Sequence, residues 1–342
     1  MQLRNLGMTG VKVSPLCLGA MMFGDWGNKD HDDSIRIIHR ALDAGINFID
    51  TADVYSQGES EEIVGKALAG GKRDDVVLAT KVWGAMGEDP NQRGVSRRWI
   101  FQEVENSLRR LNTDWIDLYQ IHRYAPDVDI EETLSALSDL VHQGKVRYIG
   151  SSTFPASAIV EAQWAARDRH LQRYVCEQPP YSMLARGIEA DVLPTCRRYG
   201  MGVIPWSPLS GGWLTGRYRK DAETPTPTSY ARQRLTARYD MSLPANQRKL
   251  EAADQLAQFA DEAGMTLIEM AIAFVIRHPA VTAAIIGPRT MEQLESQLPA
   301  ADVALSDDAL DRIDGIVTPG TNINPADSGW ANPALEPAAR RR

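Results

Sequence analysis

Short apolar runs recur along this chain near residues 16–18, 47–52, 76–82, 116–122, 146–151, 174–178, 201–206 and 283–287. Most are continuously apolar and rich in Val, Ile and Leu, the pattern of strands covered on both faces. Between them the period changes to that of amphipathic helices. Asp32 is placed to cap a helix with Ile35, Ile38 and Leu42 on one face and a stop at Gly45. Ser96 stands ahead of Ile100, Val104, Leu108 and Leu111 in the same way. Asp129 with Glu132 resembles a capping box before Leu134, Leu137 and Val141, stopped at Gly144. Eight βα units without a break predict an α/β fold, one closed (β/α)8 (TIM) barrel forming a single domain over residues 1–342. A doubly wound open sheet is the alternative, weakened because no G-x-G-x-x-G follows the first strand. Two shorter runs, 3–6 and 11–13, predict an N-terminal β-hairpin within residues 1–14.

Two segments break the rhythm. Residues 210–245 form a long loop after strand seven, too rich in Gly, Pro and Arg for a simple turn. Loops of this length are usually functional. Its basic residues Arg217, Arg219, Lys220, Arg232, Arg234 and Arg238 suggest closure over an anionic ligand. The tail, 318–342, carries Pro319, Gly320, Pro325 and Pro333 without periodicity. It is expected as an extended arm that either crosses the barrel mouth or is partly disordered.

Composition narrows the function classes. With 37 basic and 45 acidic residues the net charge is −8, which argues against nucleic acid or an anionic membrane as partner. Cys17, Cys176 and Cys196 are scattered and odd in number, so neither a disulfide framework nor a metal-ligand pattern is expected. No apolar run approaches transmembrane length and no secretory signal opens the chain. The expectation is a cytoplasmic protein without a metal, monomeric or homo-oligomeric.

The candidate chemistry sits where apolar runs end in ionisable groups: Asp50 and Tyr55, then Lys81, then His122. In a parallel barrel such ends share one face, so a carboxylate, a phenol, an amine and an imidazole converge. That set suits acid-assisted reduction of a carbonyl. A phenol of pKa about 10 is too weak an acid near neutrality, and a neighbouring ammonium favours phenolate. Lys81 is placed to lower Tyr55, Asp50 to hold Lys81 charged, and His122 to hydrogen-bond the carbonyl oxygen or relay the proton.

The runs Phe48-Ile49-Asp50-Thr51-Ala52-Asp53-Val54-Tyr55, Ala79-Thr80-Lys81, Asp117-Leu118-Tyr119-Gln120-Ile121-His122 and Gly144-Lys145-Val146-Arg147-Tyr148-Ile149-Gly150 resemble those of aldo-keto reductases, and the likeness extends to about Leu298. The branch most resembled includes bacterial general reductases and potassium-channel beta subunits. The resemblance implies a (β/α)8 barrel that binds NADPH without a Rossmann domain and reduces an aldehyde or ketone. It implies the roles given above for Asp50, Tyr55, Lys81 and His122.

The same resemblance assigns cofactor positions. Ser152 and Thr153 stand where the family has Ser-Asn on the nicotinamide amide, and Gln178 where a Gln meets that amide. Trp206 would stack on the ring. Ser207, Pro208, Leu209, Ser210, Gly211 and Gly212 match the loop that passes the pyrophosphate, where small residues let backbone N–H groups approach. Gly287 precedes Arg289, which matches the arginine for the 2′-phosphate of NADP. Gln293 and Gln297 fall on the adenine side, with Ser296 in place of a carboxylate. Ala20, Met21 and Asp50 complete the cofactor set. Met22, Phe23, Trp26, Trp83 and Trp330 are the pocket candidates, Trp83 because it lies two residues beyond Lys81 on the same strand. An alcohol dehydrogenase and an NADPH-binding regulatory subunit are the alternatives. With Met1 directly before the hairpin, no pore-plugging segment is expected.

Overall fold

The computed structural model describes residues 1–222 and 235–340. A hairpin of β1 (Arg4–Asn5) and β2 (Lys12–Val13) comes first. Eight parallel strands follow: β3 (Leu16–Gly19), β4 (Phe48–Asp50), β5 (Val77–Val82), β6 (Ile116–Ile121), β7 (Val146–Ser152), β8 (Cys176–Gln178), β9 (Gly202–Val203) and β10 (Ala284–Ile286). They pair in chain order, and β10 pairs with β3. Thr282 N donates to Val203 O at 2.8 Å and Ile285 N to Pro205 O at 2.9 Å, so the last gap also closes. A closed barrel has no free edge, and the open doubly wound alternative is excluded.

Helices α1 (His31–Asp43), α2 (Glu59–Ala67), α3 (Arg97–Leu111), α4 (Ile130–His142), α5 (Ala156–Asp168) and α6 (Val192–Arg198) alternate with the strands. Pro244–Glu262 (α7), Leu267–Arg277 (α8), Met291–Gln297 (α9) and Asp307–Ile316 (α10) follow, with a last helical turn at Pro337–Arg340 (α11). Two cap expectations are corrected. Helix α1 is capped by Asp30, whose carboxylate accepts from Asp33 N at 3.0 Å. Asp32 falls in the first turn, where its charge complements the helix dipole. Asp129 caps α4 through Glu131 N, but Glu132 accepts from Arg97 N at the start of α3 and so does not close a box. A true capping box sits at Thr266 and Glu269.

Alternation along the strands builds two cores. Cys17, Phe48, Ala79, Leu118, Cys176, Ile204 and Ala283 fill the barrel interior, with Leu6 and Val13 of the hairpin plugging its lower end. There Gly7, at φ +55°, lies so close to the barrel that a Cβ would come within 2.5 Å of Gly202 N. A larger cluster lies between the outer strand faces and the helices. Two residues past Phe48, Ala79, Leu118 and Cys176 on the same inward rows stand Asp50, Lys81, Gln120 and Gln178. The apolar interior therefore ends in a polar layer at the carboxyl ends of the strands.

Of the segment after β9, Arg232 and Arg234 lie outside the described residues. Arg219 is paired with Asp254 and Asp261 on α7, and Arg238 is buried against Asp327 at 2.5 Å. Lys249 of α7 reaches the other Asp327 oxygen at 2.6 Å. The tail is thus tied down around Asp327, and its Gly329 packs on the Trp206 ring. Among the described residues no helix is long and apolar enough to cross a membrane.

Candidate active site

The centre of the polar layer is Lys81. Strand β5 carries it inward, fully buried, and its ammonium spends its three donors at once. Nζ donates to Asp50 Oδ1 at 2.5 Å, to Thr51 O at 2.8 Å and to the Tyr55 hydroxyl at 3.2 Å. The second oxygen of Asp50 accepts from Gln178 Nε2 at 2.8 Å and Gln120 Nε2 at 3.0 Å. Gln178 Nε2 also reaches Gln120 Oε1 at 3.1 Å. A buried ion pair is stable only when its remaining donors and acceptors are satisfied, and this one is.

Tyr55 reaches the layer by a local device. After β4 the chain enters a tight turn, Tyr55–Gly58, in which Ser56 (φ 48°) and Gln57 (φ 57°) are left-handed. Two adjacent non-glycine residues in that region carry backbone strain, a mark of functional sites. Asp53 steadies the turn by accepting from Val54 N and Trp83 N. The bend folds the phenol back over Lys81, whose Nζ lies 4.9 Å from the ring centre. His122 follows β6, and its ring meets Tyr55 edge-on at 5.6 Å and 82°.

The electrostatics differ from expectation at one point. Burial raises the Tyr55 phenol; Lys81 pulls it down, Asp50 pushes it up, and the net direction is upward. The reverse was expected from the sequence. A lysine paired so closely with a carboxylate presents the phenol with an ion pair rather than a bare cation. Burial opposes the charge on Lys81, but Asp50 and Tyr55 outweigh it and raise the ammonium above its usual value. Burial, then Arg123 and Lys81, hold the His122 imidazole well below its usual range, so it is neutral near pH 7.

The cofactor candidates line the next four strand ends. Ser152 Oγ donates to Gln178 O at 2.9 Å. Thr153, left-handed at φ 58°, has its hydroxyl between Arg123 Nη1 at 3.1 Å and Trp206 Nε1 at 3.4 Å. Gln178 turns its amide nitrogen down to Asp50, which leaves its oxygen for a ligand. Past Trp206, four residues from Ser207 to Gly212 are left-handed: Ser207, Ser210, Gly211 and Gly212. The change from right- to left-handed backbone at Leu209–Ser210 is the turn that forms an anion-binding concavity. Pro208 is buried there and Leu209 half-buried. Beyond β10, a Cβ on Gly287 would meet open space. Arg289 is half-buried, its backbone N bonded to Gln293 Oε1 at 2.8 Å, and its guanidinium has no partner among the described residues.

Buried polar atoms without a partner among the described residues include His122 Nδ1, Ser210 Oγ and Gln297 Oε1. Buried polar groups are normally bonded. Orphans after β6, after β9 and at the end of α9 fit a polar ligand spanning from His122 to Gln297, as a dinucleotide would.

On the substrate side, Trp26 lies 6.0 Å from the Tyr55 ring and Trp83 is 40% exposed. Met21 and Met22 are half-buried beside them in sequence; Ala20 is buried, its N bonded to Asp50 O at 2.8 Å. Trp330 comes from the tail to pack 6.2 Å from Tyr124. Phe23 belongs to the outer core and lines nothing.

Sequence reading missed Gln120 and Arg123. Gln120 is the one polar residue on an apolar inward row, two positions before His122, and that spacing marks it. Arg123 follows His122 directly, and its Nη1 is fixed by His122 O at 2.9 Å.

The model of the aldo/keto reductase family matches residues 15–318. The uncharacterized oxidoreductase YrpG of Bacillus subtilis is 39% identical, over 96% of this chain and all of that protein. A protein named "Probable voltage-gated potassium channel subunit beta" in Arabidopsis thaliana is 37% identical, over 93% of this chain and 97% of that protein. The aldo-keto reductase AMT2 of Alternaria alternata is 35% identical, over 91% of this chain and 90% of that protein. With a closed barrel whose polar layer gathers Asp50, Tyr55, Lys81 and His122 at the strand ends, this chain belongs to the aldo/keto reductase family of oxidoreductases.

Proposed function

We propose that this chain reduces an aldehyde or ketone to the alcohol with NADPH, Tyr55 giving the proton. The observation that carries the reading is the Lys81 ammonium, bonded both to Asp50 and to the Tyr55 hydroxyl. Because the phenol oxygen accepts from Lys81, its own hydrogen is free to face a carbonyl oxygen. As that proton leaves, the ammonium stabilises the phenolate left behind. The neutral imidazole of His122 orients the same carbonyl oxygen through an N–H. Burial of all four groups keeps bulk water from the reacting centre.

The cofactor, when bound, supplies the hydride to the carbonyl carbon. Ser152, Thr153 and Gln178 would hold its carboxamide, Trp206 its ring, and the loop from Ser207 to Gly212 its pyrophosphate. Arg289 would meet the 2′-phosphate, and Gln297 the adenine amine. Met22, Trp26 and Trp83 would line the apolar approach for substrate. A phenol raised by burial stays protonated near neutrality, the form that reduction uses.

The test is Tyr55→Phe. General acid catalysis is worth about a hundred- to ten-thousandfold, so NADPH oxidation with a reactive aldehyde should fall by that much while NADPH fluorescence still reports binding. Wild-type turnover in the variant overturns the assignment. The likeness to the Arabidopsis protein supports a second reading, an NADPH-binding regulatory subunit. Tight NADPH binding without turnover across a panel of aldehydes would favour it.

A further inference from the structure

We infer that Arg123 is a carboxylate-binding residue of the substrate pocket, so that oxo-acids are taken in preference to their neutral counterparts. The inference rests on the reductase reading.

The four buried cations among the described residues are each matched by a carboxylate. Lys81 has Asp50, Arg186 has Glu189 and Asp314, and Arg238 and Lys249 share Asp327. Arg123 forms no ion pair among the described residues. Its hydrogen bonds all leave from Nη1, to His122 O and Thr153 Oγ1. Those two acceptors hold the guanidinium plane in place and leave Nε and Nη2 unspent. A planar fork fixed along one edge is prepared for bidentate pairing with a carboxylate along another.

Its position places the guanidinium beside the reacting centre. Arg123 follows His122 in the chain, and its Cζ stands 5.9 Å from the Trp206 ring. The Tyr55 phenol and Glu177 are the acidic groups near enough to act on its charge. Neither bonds to it, and the Glu177 oxygens are taken by Ser151 Oγ and Phe154 N. Burial disfavours this cation, and an anion of the substrate would relieve that cost. The centre itself is otherwise balanced, since Asp50 cancels Lys81. Arg123 adds a charge beside it that no carboxylate among the described residues pairs with.

The experiment compares 4-oxobutanoate with its methyl ester, and 4-carboxybenzaldehyde with methyl 4-formylbenzoate. All four are assayed with NADPH in the wild type, Arg123→Lys and Arg123→Met. In the wild type, kcat/KM for the acid should exceed that for the ester in at least one pair. In Arg123→Met the acid-to-ester ratio should fall about ten- to hundredfold, as expected for a lost charge-assisted contact, mainly through KM. Arg123→Lys should lie between, and NADPH affinity should move little. Esters reduced at least as well as acids by the wild type would overturn the inference alone, whether or not the variants fold. So would a ratio unchanged in Arg123→Met, or an NADPH affinity that falls as far as the ratio does, which would place the guanidinium on the cofactor. No turnover of any of the four with NADPH bound would instead sink the reductase reading and this inference with it.

Discussion

Lys81 and Asp50 form a closed ion pair, 2.5 Å apart and out of contact with solvent, in which each remaining polar atom is already bonded. The carboxylate therefore does two things: it keeps the ammonium charged, and it anchors Gln120 and Gln178 beneath the site. Asp50→Asn removes the charge and turns amide hydrogens either on the Lys81 ammonium or on the Gln120 and Gln178 amides, all of them existing donors. Breaking a buried pair by removing one partner costs about 3–5 kcal/mol. The variant should unfold at correspondingly lower urea and lose nearly all turnover. Stability within error of the wild type would show that the pair does not hold the polar layer together.

The pH profile follows from two opposed shifts. Tyr55 is raised from its ordinary 10, so the donor keeps its proton up to at least that pH. His122 is lowered from its ordinary 6.5, so the imidazole gains a proton only below that value. For reduction, kcat/KM should be level between about 6.5 and 10, with an alkaline limb above and an acid limb below. In the oxidation direction the same phenol must first lose its proton, so the rate should climb through the alkaline range. A reduction profile already falling between pH 7 and 9 would contradict the shift assigned to Tyr55.

Much of this was legible in the sequence because an apolar strand that stops in an ionisable residue has few other uses for it. Asp50, Lys81 and His122 are such residues, and strand order alone brings them to one end of a barrel. Tyr55 was legible as an ionisable group close behind Asp50; the left-handed Ser56 and Gln57 that swing it over Lys81 leave no mark in composition. The place of Gln120 on an apolar inward row marks it, but its role was hidden because its partners, Asp50 and Gln178, lie on two other strands. The direction of the Tyr55 shift was misjudged because burial of the phenol outweighs the pull of Lys81, and the depth to which a loop tyrosine is buried is not written in the sequence pattern. The union of Arg238, Lys249 and Asp327 is likewise invisible, since it joins a loop, a helix and the tail.

Arg289 bears on cofactor choice. Its backbone is pinned by Gln293 Oε1 and by Asn28 Nδ2 at 3.2 Å, while the guanidinium has no partner among the described residues. A charge-assisted bond to a phosphate is worth about 1.5–3 kcal/mol. Arg289→Ala should weaken NADPH by about ten- to hundredfold on that basis and leave NADH nearly unchanged in fluorescence titrations. Equal losses for both would remove Arg289 from the 2′-phosphate.

Glu177 offers a test of the scaffold behind Thr153. Its buried carboxyl accepts from Ser151 Oγ at 2.5 Å and Phe154 N at 3.1 Å, bracketing the left-handed Thr153. Burial raises it from 4.5 to about 7, against those bonds and the nearby Arg123, which lower it. A folded pKa above the unfolded one means that the folded chain binds the extra proton. The resulting stability is fully present below pH 4.5 and is lost as pH rises through about 7. A shift of that size corresponds to about 3 kcal/mol. Glu177→Gln carries no titrating group, so the stability of the variant relative to the wild type should rise by up to that amount between pH 5 and pH 8. Urea unfolding of both proteins at the two pH values measures it. A difference independent of pH would mean that the Glu177 carboxyl titrates alike in the folded and unfolded chains.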